Sequence, residues 1–509
     1  MRTKAALFIF AAIVFASCGQ ERFDSKVISE DVNDDGVTVV TAEVYPGDGD
    51  TIKVWIGLPA GDWDGRLVGT GGSGFYGGKK SNAEKWAKKG MVGVACNCGH
   101  DVKDWSFLYD NGSLNEVQLR DFGHYALHVM TVYAKQYVTD FYGRKPAHCY
   151  FTGSSTGGRH ALQVAQKYPG DYDAVFCGCP AWHNDLYVPA RAWAQVVMKE
   201  EDHLMPLTKF DYARKALIAF EDPKDGLTDG IVNNPFDCSF DICSIVGTVD
   251  PATGDEFTAE DAHVIRRIWD GCPYEGGKLW YYFTPTTDFH KVASSNEDGT
   301  GKLEGTTLGM LRYSVEFNPE FCLDSLNVQR YIDDVLKSGS TLEDGMSATA
   351  DLKPLHKAGG KLLIMHGLDD DMVPPGGTIR YFEEVCKACG GYDAVSEYVK
   401  LYLIPGINHS FKGPGANLRG GKWGSELDGF DEVGYLIDWV ENGVEPETIL
   451  FSKPGFGCRP FFPYPMATGY LGGDVENSES FGPTDAFKES YLKESGSTST
   501  PIHSRKLAR

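Results

Sequence analysis

Three short stretches, far apart in the chain, hold the side chains that serine-based acyl transfer needs. Residues 153–157 read Gly-Ser-Ser-Thr-Gly. A serine with a glycine two residues away on each side can occupy a tight strand-to-helix turn. Its hydroxyl is then exposed, and the first N–H groups of the next helix face the reaction centre, where they can stabilise an oxyanion. Only Ser155 has that frame, because Ser154 would need glycines at Thr152 and Thr156. Alone the pattern is weak, since an ordinary turn uses a serine in this place as a helix N-cap. Partners strengthen it. An acid and then a histidine should follow in chain order, each just past a strand. KLLIMHGLDDDMVPP supplies Asp369, Asp370 and Asp371, and LYLIPGINHSF supplies His409. Nothing local separates the three acids. His366 precedes them, which would reverse the order, and it reads as a packed strand-end histidine. In this arrangement the histidine takes the serine proton and returns it to the leaving group, while the acid holds the imidazole tautomer.

The elements around these stretches have the rhythm such a site requires. GVTVVTAEVYPGDGDTIKVWIGLPA, residues 36–60, alternates on both sides of a Pro-Gly-Asp-Gly turn and predicts a hairpin. Short β-rich runs then alternate with helical segments: RLVGTG, MVGVACN, a helix with apolar Phe122, Ala126, Val129, Tyr133 and Tyr137, HCYFTG, TGGRHALQVAQKY and AVFCG. That alternation predicts a doubly wound parallel sheet with helices on both faces. It stops near Ala181 and resumes with KLLIMHG, TIRYFEEVCKACGG, SEYVKLYLIPG and DEVGYLIDWVENG. The expected organisation is one α/β domain, residues 22–182 and 351–485, interrupted by an insertion at 183–350. Residues 486–509 read as a polar tail.

A chain of 509 residues has room for such an insertion, and its formal net charge of −23 argues against nucleic acid as a partner. Arg2, Lys4 and the apolar run AALFIFAAIVFAS predict an export signal over residues 1–17. The small residues before Cys18 resemble a bacterial lipobox, which implies lipidation of Cys18 and a place in the periplasm or on the outer surface. A lipid there would be the only expected contact with a membrane. Of 13 cysteines, 12 lie beyond Cys18, several in close pairs such as Cys386/Cys389. An exported protein meets conditions that permit disulfide bonds, but pairing is not readable from spacing.

Taken together, the motifs resemble those of the tannase and feruloyl esterase family. That family reads GCSTGGR at its nucleophile, where this chain has GSSTGGR at 153–159. Its acid motif matches HGLDDDMVPP at 366–375, which implies Asp370 as the acid, and its histidine motif matches PGINHS at 405–410. DFGHYALHVMTVYAK, GTGGSGFYGG and IDWVENGVEPETI also match, so the resemblance runs from about residue 35 to 475. It implies an α/β-hydrolase fold with the triad Ser155, Asp370 and His409. The insertion would be a lid carrying a structural calcium ion at DPKDGLTDGI. The implied ligands are the carboxylates of Asp222, Asp225 and Asp229 and the carbonyls of Leu227 and Ile231, an all-oxygen set suited to Ca2+. DVNDDG at 31–36 lacks later ligands and reads as a turn.

Four departures stand out. The family bridges a cysteine before its nucleophile to one after its histidine, and here both are serine, Ser154 and Ser410. Glu221 and Phe462 replace two further family cysteines. A Ser154–Ser410 hydrogen bond could stand in for the catalytic bridge. The expected activity is hydrolysis of small aromatic acid esters, foremost feruloyl or hydroxycinnamoyl esters on plant polysaccharide, through an acyl-enzyme. The oxyanion donors would be the N–H groups of Thr156 and Gly74, and aromatics such as LWYYF at 279–283 could line an acyl pocket or form lid core. Gallate esters and terephthalate monoesters are the alternatives within this chemistry. A binding protein on a decayed hydrolase fold is the alternative outside it, and a peptidase is disfavoured by the motif match.

Overall fold

Strand residues in this chain alternate between two separate hydrophobic clusters, which is why the strands read as unbroken apolar runs. Leu362 and Ile364 face one cluster, while Leu363 and Met365 face the other. Val175 and its neighbours Ala174 and Phe176 divide the same way. A sheet buried on both faces needs helices on both. The computed structural model, which describes residues 21–47, 49–415, 431–453, 457–485 and 487, has that form. Nine strands make the central sheet: β1 (Asp24–Val32), β2 (Thr38–Tyr45), β3 (Ile52–Leu58), β4 (Arg66–Thr70), β5 (Val92–Cys96), β6 (His148–Ser154), β7 (Ala174–Gly178), β8 (Lys361–Gly367) and β9 (Val399–Ile404). Their order is β1-β2-β3-β5-β4-β6-β7-β8-β9. From β5 onward all pairings are parallel, and β1, β2 and β3 pair antiparallel. This is the doubly wound sheet that the alternation of strands and helices predicted, and the α/β-hydrolase arrangement that the family resemblance implied.

Helices α1 (Lys80–Ala87), α2 (Ala126–Tyr142), α3 (Thr156–Lys167), α4 (Leu207–Glu221), α5 (Val328–Met346), α6 (Pro375–Ala388) and α7 (Glu432–Glu441) are the ones that matter for the site. α2, α3 and α6 pack on one face, through residues such as Val129, Leu162 and Ile379. α1 and α7 pack on the other, through Trp86, Leu436 and Trp439. The predicted hairpin is β2–β3, in register with Thr41 opposite Trp55. Asp31 and Val32 of DVNDDG end β1 and the rest is a turn, closed by Asn33, whose Oδ1 accepts the N–H groups of Asp35 and Val37. β1 has no counterpart in the sequence reading. Eight of its nine residues are exposed, so it carries no hydrophobic alternation and is held by its ladder to β2.

Between β7 and β8 the chain adds no strand to the central sheet; it contains α4, α5, shorter helices and a two-stranded ribbon. This segment grips the loop after β8 at four points on either side of Asp370. Thr284 Oγ1 donates to the Leu368 carbonyl (2.9 Å) and Thr286 Oγ1 to Asp369 (2.6 Å). Lys291 pairs with Asp371 (2.9 Å), and Arg191 donates to the Met372 carbonyl (3.3 Å). Asp370, between them, is left to face the ring of His409. Near β10 (Ile449–Lys453) the chain folds back as β11 (Gly457–Phe461), which brings Arg459 to the turn after α4. The expected export signal, Cys18 and the tail beyond residue 487 lie outside the described residues. Among the described residues, no helix is long and apolar enough to cross a membrane.

Candidate active site

Ser155 joins β6 to α3 with φ 63° and ψ −123°, a backbone conformation that a side-chain-bearing residue adopts only under constraint. The constraint is visible on both sides. The Ser155 N–H donates to the Gly178 carbonyl (2.9 Å), and its carbonyl accepts from Arg159 (2.9 Å) and Ala181 (3.0 Å). The flanking glycines are sterically required. A Cβ on Gly153 would lie 2.3 Å from the Gly157 carbonyl oxygen, and one on Gly157 would lie 2.7 Å from that of Gly72. The G-x-S-x-G spacing thus records close backbone contacts that no larger residue permits.

His409, on the loop after β9, places Nε2 2.9 Å from Ser155 Oγ. Its Nδ1 meets both oxygens of Asp370, at 2.8 and 3.0 Å. A carboxylate only accepts, so Nδ1 carries the proton and Nε2 is the acceptor for the serine hydroxyl. The three neighbouring acids divide cleanly. Asp369 is taken by Thr286, and burial pushes its carboxyl up to about 6. Asp371 accepts the His409 backbone N–H (3.3 Å) and holds Lys291. Asp370 alone reaches the imidazole. Burial works against its charge, but His409, His366 and their hydrogen bonds outweigh this and hold it well below the usual carboxylate range. Burial likewise opposes protonation of His409, and the Asp370 carboxylate overrides it, raising the imidazole pKa.

Two supporting histidines and one bystander thiol surround the triad. His366 is more than packing: Nε2 donates to Asp370 Oδ2 (3.1 Å) and the Val373 carbonyl (3.1 Å), while Nδ1 accepts from Thr378 (2.7 Å). With the N–H groups of Met372 (2.8 Å) and Val373 (2.7 Å) on Oδ1, Asp370 is fixed from several directions. His160 anchors the glycine loop: Nδ1 accepts the Gly72 N–H (3.1 Å) and Nε2 faces the Phe122 carbonyl (2.8 Å). Cys179, just after β7, has φ 33° and lies beside the pair, its sulfur, one Asp370 oxygen and one His409 nitrogen all within 4.8 Å of one another. His366 opens the HGLDDDMVPP motif, but its bond to Asp370 shows only in space; His160 and Cys179 are identified by spatial neighbourhood alone.

The expected oxyanion residues are adjacent in space. Thr156 Oγ1 donates to the Gly74 carbonyl (2.6 Å), tying the loop to the first turn of α3, and Gly74 has φ +60°. Among the described residues, no hydrogen bond joins Ser154 to Ser410. Ser154 Oγ instead packs on Gly178, within 2.4 Å of where a Cβ there would be, and the Ser410 N–H goes to Asn408 (3.0 Å). The twelve described cysteines are all thiols. Of LWYYF, Leu279, Trp280 and Phe283 are buried, with Trp280 against Trp182, His183 and Tyr281, so the stretch is largely core of the insertion.

A second cluster lies in the turn after α4. Asp222 accepts the N–H groups of Asp229 (3.2 Å) and Gly230 (2.9 Å), Asp225 that of Leu227 (3.1 Å), and Asp229 that of Ile231 (3.1 Å). Asp225, Leu227, Asp229 and Ile231 line a cavity of about 10 Å³, room for one small ion. Burial, with repulsion from Asp229 and Asp222, pushes Asp225 up to about 6. Arg459 pairs with Asp229 and offsets part of the charge. Crowded carboxylates beside carbonyls fit a hard cation in chemistry, although the three carboxylates are not drawn into one tight cluster. Where the family carries a cysteine, Glu221 clips the turn by accepting from Ser239 N–H (2.7 Å) and Lys224 (2.7 Å).

A serine hydroxyl, an oriented imidazole and a buried carboxylate lie in line at the C-terminal edge of this sheet, the arrangement that acyl transfer by a serine requires. The sequence matches the family model for tannase and feruloyl esterase over residues 38–483, and the chain belongs to that family of carboxylic ester hydrolases. It is 32% identical to a probable feruloyl esterase of Arthroderma benhamiae over 477 residues, covering 87% of this chain and 84% of the relative. It is 26% identical to a tannase of Aspergillus oryzae over 480 residues, covering 82% and 79%. Among solved structures, an esterase from Aspergillus oryzae superposes with a TM-score of 0.76 at 25% identity, covering 88% of this chain and 90% of that one.

Proposed function

We propose that the protein hydrolyses feruloyl and related hydroxycinnamoyl esters of plant polysaccharide, with Ser155 as nucleophile, His409 as general base and acid, and Asp370 as the group that orients His409. The observation that carries the reading is the continuous chain from Ser155 Oγ through His409 to Asp370, at 2.9 and 2.8 Å. His409 Nε2 removes the serine proton as Oγ attacks the ester carbonyl. The N–H groups of Thr156 and Gly74 receive the oxyanion, and His409 passes the proton to the departing alcohol. Water then repeats the sequence on the acyl-enzyme. The names borne by the relatives support an aromatic acyl group, feruloyl in one and the gallate of tannins in the other as the natural second candidate.

Asp222, Asp225 and Asp229, with the carbonyls of Leu227 and Ile231, would hold Ca2+, which supplies structural crosslinking of the turn after α4 and takes no part in the reaction. Residues 183–350 serve as a lid over a catalytic domain formed by 22–182 and 351–485; the four ties to the loop around Asp370 support this division. Export and lipidation at Cys18 would put the enzyme in a bacterial periplasm or on the outer surface, where feruloylated polysaccharide is met. The test is hydrolysis of methyl ferulate, methyl gallate and p-nitrophenyl acetate by the wild type and by Ser155→Ala. Methyl ferulate should be the best of the three and Ser155→Ala inactive on all. Equal rates in the two proteins would refute the esterase reading.

A further inference from the structure

We propose that Cys179, Asp370 and His409 form a zinc-binding site within the catalytic centre, through which Zn2+ switches hydrolysis off. The inference rests on the roles given to Ser155 and His409 above. The thiol has no part in that mechanism, yet Cys179 is held beside it. It follows β7 with φ 33°, an unusual conformation for a residue with a side chain, and its N–H donates to the Met365 carbonyl of β8 (2.7 Å). It is 1% exposed, so its sulfur is committed to this position.

The three donors are a thiol, an imidazole and a carboxylate, the set that zinc takes and that Ca2+ or Mg2+ does not. Their ligand atoms already lie within 4.8 Å of one another, the one group of this kind among the described residues. Tetrahedral zinc with ordinary bond lengths places such donors about 3.3–3.6 Å apart, so closing on an ion needs shifts of about 1 Å. Charge favours the complex as well. A thiolate and a carboxylate neutralise both charges of the ion, so the buried assembly carries no net charge. Binding releases the Cys179 thiol proton to solvent. The imidazole stays neutral, and its base is lost with either nitrogen as ligand. Zinc on Nε2 occupies the lone pair that Ser155 uses. Zinc on Nδ1 displaces the proton held by Asp370, and the ring then carries its proton on Nε2, facing Ser155 Oγ as a donor.

The experiment titrates Zn2+ into the full chain, with millimolar Ca2+ present throughout, and follows p-nitrophenyl acetate hydrolysis. Wild type should be inhibited at micromolar Zn2+ and recover on chelation, with Mg2+ without effect. Cys179→Ala should keep its basal rate and need at least about 10-fold more Zn2+ for half inhibition. Independently of activity, Co2+ added to Ser155→Ala should give a thiolate-to-cobalt charge-transfer band, absent from Ser155→Ala/Cys179→Ala. Equal Zn2+ sensitivity with and without Cys179, or no band in Ser155→Ala, overturns the site. Absence of basal hydrolysis overturns the esterase reading instead, and the cobalt band then decides the metal site by itself.

Discussion

Replacing Asp370 with asparagine changes one atom in the buried network and should nearly abolish turnover. The Asp370 oxygens face His409 Nδ1 at 2.8 and 3.0 Å, and Oδ1 also accepts the N–H groups of Met372 and Val373. An asparagine keeps its oxygen on those two N–H groups, which leaves the NH2 toward His409. An amide nitrogen only donates, so the shorter contact, at 2.8 Å, no longer accepts from Nδ1 and the ring proton is favoured on Nε2. Nε2 then faces Ser155 Oγ as a donor and cannot take its proton. A wrong tautomer in an otherwise intact triad lowers kcat by about 10,000-fold, about 5.5 kcal/mol of transition-state stabilisation. The pH profile gives a second signature. The Asp370 charge raises the His409 pKa against burial, so wild-type activity falls as pH drops through a value above the ordinary 6.5. In Asp370→Asn that charge is gone while burial, the largest influence, stays, and the residual rate should hold to lower pH. The assay is p-nitrophenyl acetate hydrolysis across pH, with circular dichroism to establish folding and Asp369→Asn and Asp371→Asn in parallel. A folded Asp370→Asn protein within about 10-fold of wild type would refute the reasoning, as would a larger loss in either neighbour.

The remaining predictions concern the scaffold. Gly153→Ala, whose Cβ would meet the Gly157 carbonyl oxygen at 2.3 Å, should destabilise by about 1–3 kcal/mol in urea unfolding, whereas Gly61→Ala, with nothing within 4 Å, should be neutral. Asp225 is raised to about 6, so the metal-free protein should lose stability as pH rises through that value. Added Ca2+ should restore it, raising Tm more at about pH 7.5 than at about pH 5, and Asp222→Asn should remove the effect, measured by differential scanning calorimetry. Ser154→Cys/Ser410→Cys, oxidised, should form the bridge the family carries, stabilise by about 2–4 kcal/mol and retain activity; loss of all activity on oxidation would count against the placement of these two loops.

How far the sequence speaks depends on the range of the contact. Ser155 was legible because two local backbone contacts demand glycines at fixed offsets. β6, β7, β8 and β9 were legible because burial on both faces leaves them dominated by apolar residues, with only a few such as Thr152 and Lys400 polar. β1 was not, since an exposed edge strand leaves no apolar pattern. Asp370 could be separated from Asp369 and Asp371 by family resemblance but not by chemistry, because the division is made by Thr286 and Lys291 from the insertion. His366 was discounted for its place in chain order, a rule that governs the triad and not the residues behind it. Cys179 and His160 meet the site only through the crossing of β7, α3 and the glycine loop. The bond expected between Ser154 and Ser410 is not formed: Ser154 Oγ packs on Gly178 at the end of β7, and the Ser410 backbone N–H is turned to Asn408.

The most direct test of the central claim is to trap the acyl-enzyme. Wild-type protein mixed with excess methyl ferulate and quenched in acid during turnover should carry one feruloyl group by intact-mass spectrometry, and peptide mapping should place it on Ser155. Ser155→Ala should carry none. A feruloyl group on another residue, with Cys179 the nearest thiol to His409 to watch, or turnover by wild type without any adduct on Ser155 under conditions where deacylation limits the rate, would contradict the account.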